Sequence, residues 1–116
     1  MINLLKIISE KSFKEREIIY LTIDLDNQKY LISKEGEEKK LEIENLPEGI
    51  FIFRAKNSKE EKESGTITFT FFPDRTKEYG MIYLENLYNG ETFTVFLYPY
   101  SENIEIYEGE VYFENI

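Results

Sequence analysis

Carboxylates and tyrosines are the chemically active side chains this chain holds in quantity. Its 116 residues contain 23 Asp plus Glu and nine Tyr, with no His and no Cys. Without an imidazole there is no Ser-His-Asp triad and no His-based zinc site. Without a thiol there is no thiolate nucleophile, thiolate metal site or disulfide framework. Any catalysis would fall to carboxylates, Lys, Tyr or Ser alone.

Asp24, Asp26 and Gln28 alternate, and Glu35 follows further on, a spacing that echoes a calcium-binding loop. Such a loop needs Gly at its sixth position for the sharp turn, and Lys29 stands there. Tyr30, Leu31 and Ile32 read as strand, which draws Glu35 away from the aspartates. The expectation is a hairpin turn and no metal. A glycosidase-like acid and base would need two carboxyls held roughly 5–9 Å apart in a cleft. Glu42, Glu44, Glu60, Glu61, Glu63, Glu105 and Glu114 instead alternate with apolar residues or crowd into loops, the pattern of solvated faces. The six glycines stand singly, so no phosphate-cradling loop exists. Neither catalytic residues nor a cofactor are expected.

Aromatics reach 16%, enough to make a binding face conceivable. Tyr20, Tyr83, Tyr98, Tyr107 and Tyr112 would suit an outer sheet face that stacks on sugar rings or a peptide. The alternative is that these rings pack at half-buried strand positions with their hydroxyls in water. The net charge of −9 repels a phosphate backbone and disfavours anionic membrane surfaces. No nucleic-acid partner is expected.

The elements that must position these groups begin with a helix over residues 1–15. Ile2, Leu5, Ser9 and Phe13 form one stripe, with Leu4 and Ile8 beside it. Glu10, Lys11, Lys14, Glu15 and Arg16 make a polar face. The first eight residues are apolar almost all round and follow no capping residue. Two readings stand: the end of a longer helix, or a true start at Met1 whose stripe packs on a sheet. There is no run approaching the roughly 18–20 apolar residues that span a bilayer, and no secretory signal.

Everything from residue 17 to 114 has strand chemistry. Residues 17–25 place Ile19, Leu21 and Ile23 on one face, and a turn at Asp26-Asn27 leads into a strand over 29–33. Residues 34–40 read as loop, and Leu41 and Ile43 alternate with Glu42 and Glu44. A strand is expected over 50–54 and a mobile charged loop over 56–64. Residues 65–71 give the cleanest alternation, with Thr66, Thr68 and Thr70 opposite Ile67, Phe69 and Phe71. Further strands are expected over 81–85, 91–98, 103–107 and 110–114. Short strands with turn signals between them predict antiparallel sheets. The fold class is α+β, mostly β: one domain, with an N-terminal amphipathic helix covering a sheet face. The single Gln (Gln28) and the absence of Cys, with abundant Lys and Glu, lean toward a thermophilic source.

The order of these segments resembles the H-type minor pseudopilins of type II secretion and their type IV pilus relatives. The matching stretches are residues 4–13 running into Arg16-Glu17-Ile18-Ile19-Tyr20, then Leu46-Pro47-Glu48-Gly49-Ile50 and Gly65-Thr66-Ile67-Thr68-Phe69. Phe72-Pro73-Asp74, Gly80-Met81-Ile82-Tyr83-Leu84, residues 93–99 and Asn103-Ile104-Glu105-Ile106 complete them. Family members carry Gly where this chain has Arg75, and Thr-Gly where it has Ser101-Glu102. The resemblance implies a pilin-like head domain that is structural rather than enzymatic. It implies an inner-membrane subunit whose head lies on the periplasmic side, held by an apolar helix upstream of Met1. Its partners would be other pseudopilin or pilin subunits. Ile2, Leu5, Ser9 and Phe13 would pack the helix on its own sheet, and Leu4 and Ile8 would meet a neighbouring helix. The competing reading is a small β-sandwich module that binds a glycan or peptide through exposed Tyr.

Overall fold

Apolar side chains on alternate residues force this chain into strands with one buried face, and the computed structural model pairs those strands into two antiparallel sheets. It describes residues 1–36 and 42–112. The expectations for residues 37–40, Leu41 and Glu114, and for the faces of Glu42 and Ile43, lie outside the described residues. The elements are α1 (Ile2–Glu15), β1 (Ile19–Asp24), β2 (Lys29–Lys34), β3 (Glu42–Asn45), β4 (Ile50–Asn57) and β5 (Glu61–Lys62). After them come β6 (Thr66–Phe71), β7 (Gly80–Asn86), β8 (Thr92–Leu97) and β9 (Ile104–Glu108). One sheet has the order β3-β2-β1-β6 and the other β5-β4-β7-β8-β9. The fold is α+β and mostly β. Among the described residues no helix is long and apolar enough to cross a membrane.

The core is the meeting of two inner faces. Ile19, Leu21 and Ile23 of β1 lie opposite Phe71, Phe69 and Ile67 of β6, and all six are buried. Ile52 and Ala55 of β4, Ile82 and Leu84 of β7, and Val95 and Leu97 of β8 join the same cluster. Each large aliphatic side chain removed from water in this way contributes about 1.5–3 kcal/mol. A Cβ on Gly80 would sit 2.6 Å from the Phe69 ring and 2.9 Å from Leu97, so the sheets approach here more closely than any side chain allows.

Leu5 and Ile8 of α1 reach that shared cluster, while the helix contacts β1 and β6. Those two strands are neighbours in the four-stranded sheet, so the helix packs on the antiparallel body as expected, while its buried side chains join the core that both sheets share. Its C-terminus is fixed by Arg16 in the left-handed region (φ 55) and by Ser12. The Ser12 hydroxyl, fully buried, donates to the Glu17 carbonyl at 2.5 Å, with the Phe71 carbonyl at 3.3 Å. One side chain thus ties helix, loop and β6 together.

Two segments depart from the sequence expectations. Residues 56–64 are not a mobile loop: β4 runs on to Asn57, and β5 returns to pair Ala55 with Lys62 and Lys56 with Glu61. The Asn57 side-chain carbonyl accepts the N–H groups of Lys59 and Glu60, both at 2.9 Å, and so builds the turn. Residues 110–112 are not a strand either. They cross the outer face of the five-stranded sheet, held by side chains described below. The apolar run in β4 alternates, with Ile50 and Ile52 on the shared core and Phe53 on the outer cluster; a register shift between Ile52 and Arg54 then brings Ala55, three residues after Ile52, to the same inner face.

Gly80→Ala is expected to cost about 1–3 kcal/mol, the usual penalty of overpacking, read as a lower urea midpoint with unchanged slope. Ser12→Ala should cost about 1–3 kcal/mol by stranding two carbonyls, measured the same way.

Candidate functional site

A helix buries residues spaced three and four apart, and α1 uses that rule differently from the stripe expected. Leu5, Ile8 and Ser12 are its buried residues. Ile8, expected to meet a neighbouring helix, belongs to the chain's own core; it sits one turn beyond Leu5 on the same face. Ile2 and Leu4 are half-buried at the core's margin, so Leu4 too has its own body for a neighbour. Ser9 is half-buried with its hydroxyl 3.4 Å from the Arg75 carbonyl. Phe13 is 40% exposed and is roofed by the Arg75 guanidinium, 3.8 Å from its ring centroid. Arg75 is held there by Glu10 at 3.0 Å.

The large apolar residue that α1 exposes most is Ile7, 64% accessible against 40% for Phe13. Around it lies a shallow surface formed by Lys6, Glu10, Lys11, Lys14 and Glu15. Lys34 pairs with Glu15, and with Glu17 at 3.4 Å. Its hydrogen bond to the Glu15 carboxyl holds that group below the ordinary range.

The five tyrosines do not form one exposed row. Tyr20 belongs to β1 in the four-stranded sheet, its hydroxyl 3.5 Å from Glu35. Tyr83 is fully buried on the outer side of the other sheet, beside Met81 and Phe96. Its hydroxyl donates to the Val111 carbonyl, with the Met81 sulfur also at 3.0 Å, and burial pushes its pKa up. What buries it is the chain after β9. The Thr94 hydroxyl donates to the Gly109 carbonyl at 2.8 Å and accepts the Val111 N–H at 2.9 Å. Tyr112 then lies over Tyr83 with ring centroids 5.3 Å apart. Arg54 pins this strap: it bonds Glu63 at 2.8 Å and the Tyr112 hydroxyl, and pairs with Glu110 at 3.7 Å. Tyr98 and Tyr107 share a 2.8 Å hydroxyl contact and both reach Glu105. That carboxylate, then Tyr98, raises the Tyr107 pKa.

Among the acids, Asp24 builds the turn after β1. Asp24 accepts the N–H groups of Asp26 and Asn27 at 3.1 Å and the Asn27 side chain at 2.8 Å. These bonds, the Asn27 side chain's first, hold its carboxyl below the ordinary range. Glu44, Glu60, Glu61, Glu63 and Glu105 are all exposed. No three acids among the described residues are grouped to hold a metal.

Sequence reasoning missed one cavity and one lysine. A groove of about 540 Å³ runs beside Thr66, Thr68 and Thr70 of β6, between the β4–β5 turn and Phe72, Glu78 and Tyr100. Behind it Lys77, only 1% exposed, donates from Nζ to the Ser101 carbonyl at 2.6 Å. Burial lowers its pKa to about 8, with Glu102 pulling the other way. The Thr alternation pointed to the groove's floor; a lysine among loop residues gave no signal.

Because the folded Lys77 amine titrates near pH 8 and an unfolded lysine near 10.4, the unfolded chain binds more protons between those values. Stability should therefore rise with pH across that window. Urea midpoints measured from pH 7 to 10 should show the rise in the native protein and lose it in Lys77→Met.

No protein-family model matches the chain, and no significant match is found among curated proteins or solved structures.

Proposed function

We propose that this chain is the head domain of a pilin-like subunit that assembles, through its N-terminal helix, into a secretion pseudopilus or type IV pilus. It acts as a structural part rather than an enzyme. The observation that carries the reading is the placement of α1. The helix comes first in the chain, sinks one stripe (Leu5, Ile8 and Ser12) into a two-sheet body, and leaves the face around Ile7 bare. That division suits a rod that must hold its own head and still touch neighbours.

One further feature supports it. Arg75, which departs from the glycine of the resembling family, has φ 72. It keeps the left-handed backbone that glycine adopts most easily. In this reading an upstream apolar helix anchors the subunit in the inner membrane with the head on the periplasmic side. Filament formation buries that helix among those of other pseudopilin or pilin subunits.

The test uses the full-length protein in its own cells. Ile7→Asp should leave the thermal midpoint of the head nearly unchanged, as surface substitutions do within about 0.5 kcal/mol. It should sharply reduce cross-linking to partner pilins, whereas Leu87→Asp, at an exposed residue following β7, should not. Recovery of the native protein free of the membrane, or undiminished cross-linking of Ile7→Asp, would overturn the reading.

A further inference from the structure

We infer that the groove on the outer side of the four-stranded sheet binds a neutral oligosaccharide, an inference independent of the assembly reading above. Its volume of about 540 Å³ lies within the roughly 300–1,000 Å³ usual for small-ligand sites.

The lining has the chemistry of sugar recognition. Thr68, Thr70, Tyr20 and Tyr100 line the groove; the Thr68 hydroxyl shares a 2.9 Å bond with Thr22 and the Tyr20 hydroxyl lies 3.5 Å from Glu35, and a hydroxyl both donates and accepts, as a sugar hydroxyl does. The rings of Tyr20, Phe72 and Tyr100 add apolar faces on which the C–H side of a pyranose can rest.

The charges in the walls cancel and are largely engaged. Lys59 and Lys62 line the groove together with Glu60 and Glu78, and Lys62 pairs with Glu60 at 3.5 Å. The Glu78 carboxylate accepts the Thr70 N–H at 2.7 Å and the Ser58 hydroxyl at 2.6 Å. Nothing there concentrates charge for an anionic ligand.

A peptide strand is also disfavoured. β6 is the edge of its sheet, where an added strand would need free backbone groups. The Thr68 carbonyl already accepts from the Asn57 side chain at 2.7 Å. The Thr70 N–H is held by Glu78, and the Thr70 carbonyl accepts the Glu78 N–H at 3.0 Å. At Thr68 and Thr70 the edge is closed to pairing, while the side chains of both residues line the groove.

Tyr100 is the most telling residue. It is 80% exposed, yet its backbone has φ 55, a region uncommon for a bulky side chain. Lys77 clamps it from both sides, accepting the Tyr100 N–H at 2.9 Å and donating to the Ser101 carbonyl at 2.6 Å. Burying an ammonium group to fix an exposed ring costs stability, and a ligand platform is what such an arrangement provides.

The experiment is a titration of isotopically labelled protein with cellotetraose, chitotetraose and maltotetraose at millimolar concentration, followed by amide chemical shifts. At least one should move Ser58, Thr66, Thr68, Thr70 and Tyr100. Tyr100→Ala should weaken that binding up to about tenfold, the size of one lost aromatic contact. Lys77→Met, which keeps the aliphatic stem packed, should weaken it through the clamp, and Tyr112→Ala on the opposite sheet should not. The proposal is overturned if none of the three sugars shifts the groove. It is overturned equally if Tyr100→Ala binds as the native protein does, or if a sulfated oligosaccharide or an extended peptide occupies the groove more tightly.

Discussion

The facing rows of β1 and β6 set the terms for the rest of the molecule. Ile19, Leu21 and Ile23 lie against Phe71, Phe69 and Ile67, and burying them on one side obliges the residues between to face outward. Tyr20, Thr22, Thr66, Thr68 and Thr70 therefore share the opposite side of the same two strands, where Thr22 and Thr68 hydroxyls meet at 2.9 Å. A slip of one residue would exchange the two sets, taking hydroxyls into the core and aliphatics into water. The groove floor is thus a direct consequence of core packing. The close approach at Gly80, where Phe69 and Leu97 occupy the space of a side chain, locks that register against the second sheet.

Strong periodicity was legible because a buried face leaves a signal in every second residue. The alternation at 65–71, the Asp26-Asn27 turn and the amphipathic start of the chain all appear in the structure as β6, the β1–β2 turn and α1. What periodicity hides is anything that breaks it. The shift at Ile52/Arg54 puts Ala55 on the inner face three residues after Ile52, a spacing that simple alternation does not give. The charged segment at 56–64 folds back because of a single side chain, Asn57, acting as the turn's acceptor. On α1 the difference between Ser9 and Ser12 is about 60° around the axis. Local spacing could not choose which serine would meet the Glu17 and Phe71 carbonyls, and with that choice Ile8 moved inward. Of the candidate residues, the tyrosines were read by type, but their partners lie far off in sequence. Tyr83 is covered by residues 111–112, a contact made by tertiary path alone.

Both sheets meet the problem of their outer faces by side-chain chemistry. On the five-stranded sheet, Met81, Tyr83 and Phe96 would be an exposed apolar patch; flanking rings and the strap at 109–112 cover them. Arg54 holds the strap with charge on one side and aromatic faces on the other, its guanidinium 5.7 Å and 5.9 Å from the Tyr83 and Tyr112 centroids. On the four-stranded sheet the edge of β6 is closed by Asn57 and Glu78. These devices limit edge-to-edge association. Among the described residues every buried side-chain polar atom has a partner, so the polar cost of folding is met internally.

The helix and the groove are joined by one stretch of chain. The Phe71 carbonyl lies beside the Ser12 hydroxyl, and Arg75 leans on Phe13 and Glu10. Two residues later Lys77 pairs with Phe71 as an isolated bridge and grips the Tyr100 turn, and Glu78 returns to Thr70. Residues 71–78 therefore touch α1 at one end and build the groove wall at the other. One run of side-chain contacts, Arg75 on Phe13 and Glu10, Lys77 on the Ser101 carbonyl and Glu78 on Thr70, thus fixes both the seat of the helix and the wall of the groove.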